Sequence, residues 1–175
     1  SGEGQRLLRT EVHTPGVGDV QARRGVPRGL VEVHRDPVDG RHQVLEASAG
    51  LEVIELSSPA QHETWRDHDM SLPTTHSDTH RDFSGQRFVH HIAADAQWLR
   101  PTKGEASIRY SGISTATNGM ASARVLRIDG SLKAKGGRFL FLFVLSGSCD
   151  LHVSGVGSAR LLVDDASLLP SFADY

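Results

Sequence analysis

Ten histidines and a single cysteine are the residues of this 175-residue chain best suited to metal or nucleophilic chemistry, and their surroundings decide how many could act. His76 and His80 are spaced to share a helix face, but Thr74, Thr75 and Thr79 lose rotamer freedom in a helix and argue against one there. With His62 and His68 they fall in a polar stretch and read as solvated loop residues. His90 and His91 follow Phe88-Val89 on an expected strand, where successive side chains point to opposite faces, so at most one ring could face a site. His13 and His34 lie near turn signals and read as exposed. Cys149 lies beside Gly147 at a turn with no basic neighbour to favour the thiolate, which makes it a poor nucleophile. A single cysteine also excludes any intramolecular disulfide.

Other chemistries find little support. Gly16-Val17-Gly18 lacks the following helix start that a phosphate loop requires. Arg23-Arg24 with Arg28 could hold an anion but reads more simply as a solvated basic turn. The serines, histidines and aspartates show no nucleophile motif, although triad members are brought together by folding rather than by sequence order. A formal charge of −2 supplies no field that would draw nucleic acid or an anionic membrane. The longest apolar run, Phe139 to Leu145, is a strand's length and far from the roughly 20 residues that span a bilayer. A cytoplasmic protein is the expectation.

The elements that must position these residues are strands. Eighteen glycines punctuate short β-rich runs, the pattern of many strands joined by tight turns. Phe139 to Leu145 is apolar on both faces, which suits a strand covered on both sides. Asp150 to Val153, Arg160 to Val163 and Ala166 to Pro170 follow, separated by Ser146-Gly147-Ser148, Ser154-Gly155-Val156-Gly157 and Asp164-Asp165, and together read as an antiparallel meander. Ala121 to Ile128 is a further strand, closed by Asp129-Gly130. Gly29 to His34 and Gly50 to Leu56 are the strongest strands of the first third. Gln61 to Gln86 reads as a linker rich in His, Asp, Thr and Arg, and a short helix is expected around Ala93 to Trp98. Ser1 to Leu8 echoes Ser154 to Leu162, as a repeated turn plus strand would.

Several of these runs together resemble the cupin superfamily, whose members are jelly-roll barrels of two Greek keys. Phe143 to Ser148, Leu151-His152-Val153, Leu161 to Asp165 and Leu168-Leu169-Pro170 are similar to the middle of such a domain, and Tyr110 to Ile113 with Ala116 to Gly119 to its opening. Gly40 to Glu46 with Gly50 to Pro59 are similar to its closing part. The resemblance implies an all-β chain of the cupin-type double-stranded β-helix, or jelly-roll barrel, with the closing part placed first. Residues 1–60 would form a C-terminal-type cupin segment, 61–87 a polar His-rich linker, and 88–175 an N-terminal-type segment. Such a chain is either a piece of a two-cupin protein or a rearranged one, its barrel closed by both segments or by dimerisation, since half a barrel leaves unpaired strand edges.

Cupin metal sites use a His-x-His pair and a carboxylate from a first motif and a histidine from a second, a donor set suited to Fe, Mn, Ni or Zn. Here the first motif should lie between Gly130 and Phe143, and it carries Lys133, Lys135 and Arg138 in place of histidine or carboxylate. The second ends in Asp174-Tyr175. His42 stands at the matching place of the earlier segment and is the one candidate metal ligand, or else a hydrogen-bonded histidine at a barrel mouth. The cofactor therefore stays unassigned, since the first-motif residues do not support a divalent metal. Two functions compete. A degenerate cupin would bind a small anionic molecule at Lys133, Lys135, Arg138 and Tyr175, or serve structurally as a homodimer, without nucleic acid or membrane. A metal-dependent enzyme such as a dioxygenase would need His42 and further histidines.

Overall fold

The computed structural model describes residues 5–12, 21–25, 49, 51–57, 80–83, 85–101, 106–133 and 139–170. The expected strand at Gly29 to His34 lies outside these residues, as do residues 61–79 and 84 of the expected linker. The chain divides into two compact units, one of residues 1–15 with 84–175 and one of residues 16–83.

The larger unit is built on an antiparallel sheet of five strands. Strand β1 (Gln5–Val12) lies between two strands from the far end of the sequence, and the smaller unit supplies β2 (Gln21–Gly25) and β3 (Val53–Ser57). These two pair with each other, so the strand expected near Leu51 to Leu56 finds its partner in the first third of the chain. Then come β4 (Ala106–Tyr110), helix α1 (Ile113–Ala116), β5 (Ala121–Ile128), β6 (Phe139–Ser146), β7 (Ser148–Val153), β8 (Gly157–Leu162) and β9 (Ala166–Pro170). The sheet order is β4-β5-β1-β6-β9. The described residues are thus all-β in class, arranged as one five-stranded sheet and two strand pairs, with no closed barrel among them.

The C-terminal strands do not form the expected meander. β6 pairs with β9, and the β7-β8 hairpin is nested between them in sequence. The reason lies in β6, which is apolar on both faces. Leu140, Leu142 and Val144 are buried on one side and Phe141 and Phe143 on the other, and a segment buried on both faces suits the interior of a sheet, where β6 pairs with β1 and β9. β7 and β8 carry one apolar face each, so the hairpin folds across the sheet instead of extending it. Cys149, Leu151 and Val153 with Leu161 pack there against Leu7, Leu126, Leu140, Leu142, Val144 and Leu169. Where β6 meets β1 the register shifts, so that Leu7 opposes Val144 while Arg6 opposes Ser146, and Leu145 is left over as a partly exposed bulge residue.

The expected helix at Ala93 to Trp98 is a turn over 93–95, closed by the Asp95 N–H donating to Ile92 at 3.2 Å. The helical turn sits at Ile113–Ala116 instead. Gly112 enters it at φ 84°, and Thr117 closes it with its hydroxyl donating to the Ile113 carbonyl at 2.9 Å and accepting the Ala121 N–H at 3.1 Å. Residues 88–92 form no strand, so the alternation expected of His90 and His91 does not apply.

Leu161 is 7% exposed and its neighbour Leu162 55% exposed, so the hairpin register makes a sharp test. Leu161→Ala is expected to cost about 2–5 kcal/mol and Leu162→Ala less than about 0.5 kcal/mol, measured by denaturant unfolding. Equal costs would contradict the register.

Candidate functional site

On β4, Ala106 and Ile108 turn towards the core while Ser107 and Arg109 lie on the opposite face, and on β5 Leu126 turns inward while Val125 and Arg127 lie outward. Ser107 opposes Arg127 across the pair. A short stretch of chain docks on the other edge of β4. Leu99 exchanges two backbone hydrogen bonds with Ile108, at 2.9 and 2.8 Å, which brings Trp98 beside Arg109 and Arg100 beside Ser107. The Arg127 guanidinium carbon lies 4.4 Å from the Trp98 ring centroid and that of Arg109 lies 5.1 Å away. Each contact is a cation–π interaction worth about 0.5–1 kcal/mol at a partly exposed site.

The polar demands of these arginines are incompletely met. The Nε atoms of Arg109 and Arg127 are shielded from solvent and have no hydrogen-bond partner among the described residues. Arg109 donates from Nη1 to the Ala93 carbonyl at 3.4 Å, a long contact. Arg127 also stands directly opposite Arg6 in the β1–β5 register, an arrangement of like charges that destabilises a sheet unless something offsets it. Arg6 donates from Nε to Ser146 Oγ at 3.2 Å, a contact that the β6 bulge makes available. A guanidinium stacked on an aromatic ring keeps its N–H fork in its own plane, where it can engage an oxyanion in a bidentate manner.

Of the residues singled out by sequence, Lys133 is exposed in the segment after β5. Lys135, Arg138, Tyr175 and His42 lie outside the described residues, as do His13, His34, His62, His68 and His76. Among the described residues no group of three or more His, Cys, Asp or Glu side chains could hold a metal ion. His90 and His91 line an open groove of about 360 Å³ with Asp95, Tyr110, Ser111 and Gly112. Gly112 is required there, because its φ of +84° disfavours any side chain and an added Cβ would stand 3.1 Å from Val89 Cγ2.

Folding does bring one serine and one histidine together. On the outer face of the β7-β8 hairpin, His152 Nδ1 lies 2.8 Å from Ser158 Oγ. A nucleophilic triad would need a carboxylate to orient that imidazole. The nearby Asp150 is engaged by Arg160 at 3.2 Å instead, and Arg160 also donates to Ser148 Oγ at 3.0 Å. With both charged groups mostly exposed, this ion pair contributes at most about 1 kcal/mol.

Beneath the hairpin, Cys149 borders a small, partly open space of about 10 Å³ with Leu7, Ile128, Val144 and the polar Arg6, Ser146 and Ser148, room for one water at most. Burial raises the pKa of its thiol above the ordinary 9.0, and the Asp150 charge adds to the shift. Near neutral pH, native Cys149 is expected to react with iodoacetamide at least about tenfold more slowly than in the unfolded chain, followed by mass spectrometry. Because the unfolded chain loses this proton first, stability is expected to decline as pH rises past 9.0 in the wild type and less so in Cys149→Ser. Comparison of the chain with protein-family models, with curated proteins and with solved structures gave no match.

Proposed function

We propose that the chain is a cupin-like β-sandwich module that binds a small anionic molecule and lacks a complete metal site. The observation that carries the reading is the pair of guanidiniums on Trp98 whose shielded Nε donors have no hydrogen-bond partner among the described residues. A guanidinium stacked on an indole keeps the outer N–H groups of its fork available to an oxyanion, and no carboxylate among the described residues pairs with Arg109 or Arg127. The nested β6-β9 and β7-β8 hairpins support the cupin-like part of the reading, since jelly rolls fold two antiparallel ribbons in this way. The interior offers little competition as a binding place next to Cys149, where the space holds no more than a water. This reading seats the anion on the outer face of the sheet, at the arginines gathered around Trp98.

Inorganic phosphate, added at constant ionic strength, is expected to raise the melting temperature of the wild type saturably, as any ligand that binds only the folded state must. Phosphate also stabilises proteins generally by exclusion from their surfaces, so the informative quantity is the difference from Arg127→Gln. That variant is expected to lose the saturable part. Its ligand-free stability should fall by no more than about 1 kcal/mol, the worth of the Trp98 contact. Identical phosphate responses in the two proteins would sink the reading. So would stoichiometric Fe, Mn, Ni or Zn in protein purified without chelator, measured by elemental analysis, because it would favour a metal-dependent enzyme.

A further inference from the structure

The sheet register carries the argument to the class of anion. Arg100, Ser107 and Arg127 occupy one row across three adjacent chain segments, with the serine in the middle. Trp98 and Arg109 occupy the next row on the same face. Neighbouring strands lie about 4.8 Å apart, so the two outer arginines are rooted about 10 Å from each other, a span that their long side chains can close from either side over the serine. No hydrogen bond reaches the Ser107 hydroxyl or the Arg100 guanidinium from another described residue, and neither row contains a carboxylate.

We infer that Ser107, flanked by Arg100 and Arg127 and backed by the Arg109–Trp98 stack, is the seat of a phosphate-monoester group. The inference rests on the anion-binding reading and names its ligand. A carboxylate has two oxygens in one plane, both of which a single guanidinium fork can engage. Two forks approaching from opposite sides, with a hydroxyl between them, match a group that offers three oxygens in different directions and carries nearly two negative charges at pH 7.5. Trp98 serves as the platform that holds Arg127 and Arg109 in place, and with guanidiniums on its ring it is not a free surface for stacking a base. The occupant is accordingly a small phosphorylated molecule rather than a nucleic acid strand.

The experiment titrates the full chain at pH 7.5 and fixed ionic strength with methyl phosphate, methyl sulfate, acetate and a single-stranded oligothymidylate, read by isothermal calorimetry. Methyl phosphate is expected to bind one per chain, at least about tenfold more tightly than methyl sulfate or acetate, as its second charge and its doubly forked contacts require. Arg127→Gln and Arg100→Gln should each weaken it by about tenfold or more, and the exposed position of Arg100 makes the second variant safe for folding. Arg160→Gln, which removes the same charge from the hairpin, should leave it unchanged. Acetate binding as tightly as methyl phosphate, with loss in Arg127→Gln, would overturn the phosphate assignment and leave the anion reading standing. Binding by none of the four would overturn both. Oligothymidylate binding more tightly per phosphate, with steep salt dependence, would overturn the small-molecule assignment in favour of a polyanion.

Discussion

Strand β6 must hide two apolar faces at once, and the architecture of the larger unit follows from that constraint. Leu140 and Val144 on one side are almost fully buried, as are Phe141 and Phe143 on the other, at roughly 1.5–3 kcal/mol for each large side chain removed from water. A strand of this kind suits the interior of a sheet. It takes β1 on one side and β9 on the other, and the intervening β7-β8 hairpin is displaced onto the face of the sheet, where its single apolar side completes the core.

The same constraint positions the candidate site. Bringing β1 between β6 and β5 sets Arg6 opposite Arg127, and the bulge at Leu145 brings Ser146 within reach of Arg6. β5 in turn aligns β4, whose free edge is taken by the segment around Leu99. The result is a face on which guanidiniums gather around one indole, while the opposite face of the same strands is core. Arginine suits this role because its stem covers apolar surface and its planar head stacks while still offering donors. The site is thus a by-product of period-two alternation on strands whose inward residues are fixed by packing.

Much of the fold class was legible. Ala121 to Ile128 and Phe139 to Leu145 announce themselves by length, apolar content and flanking turn residues, and the structure places strands there with small changes of boundary. The pairing was not legible. Period-two patterning tells which residues share a face, but it is silent on which strand lies next, and so the nested hairpins read as a meander. The short helix was misplaced because four residues carry almost no periodic signal. Its position depends on the left-handed Gly112 and on the Thr117 hydroxyl, which are local details that a propensity sum averages away.

The sequence by itself determined that strands would dominate and that no disulfide could form within the chain, since these rest on composition and on short-range patterns. It also drew attention to Lys133, which the structure leaves exposed. Only the tertiary structure decided that Trp98, Arg100, Ser107, Arg109 and Arg127 lie on one face, and that Arg6 meets Ser146, a residue 140 positions away. Taken singly, each of these arginines is an ordinary polar residue on a half-exposed strand. Their proximity is set by long-range register, which arises from the burial of β6 and is written in no local pattern.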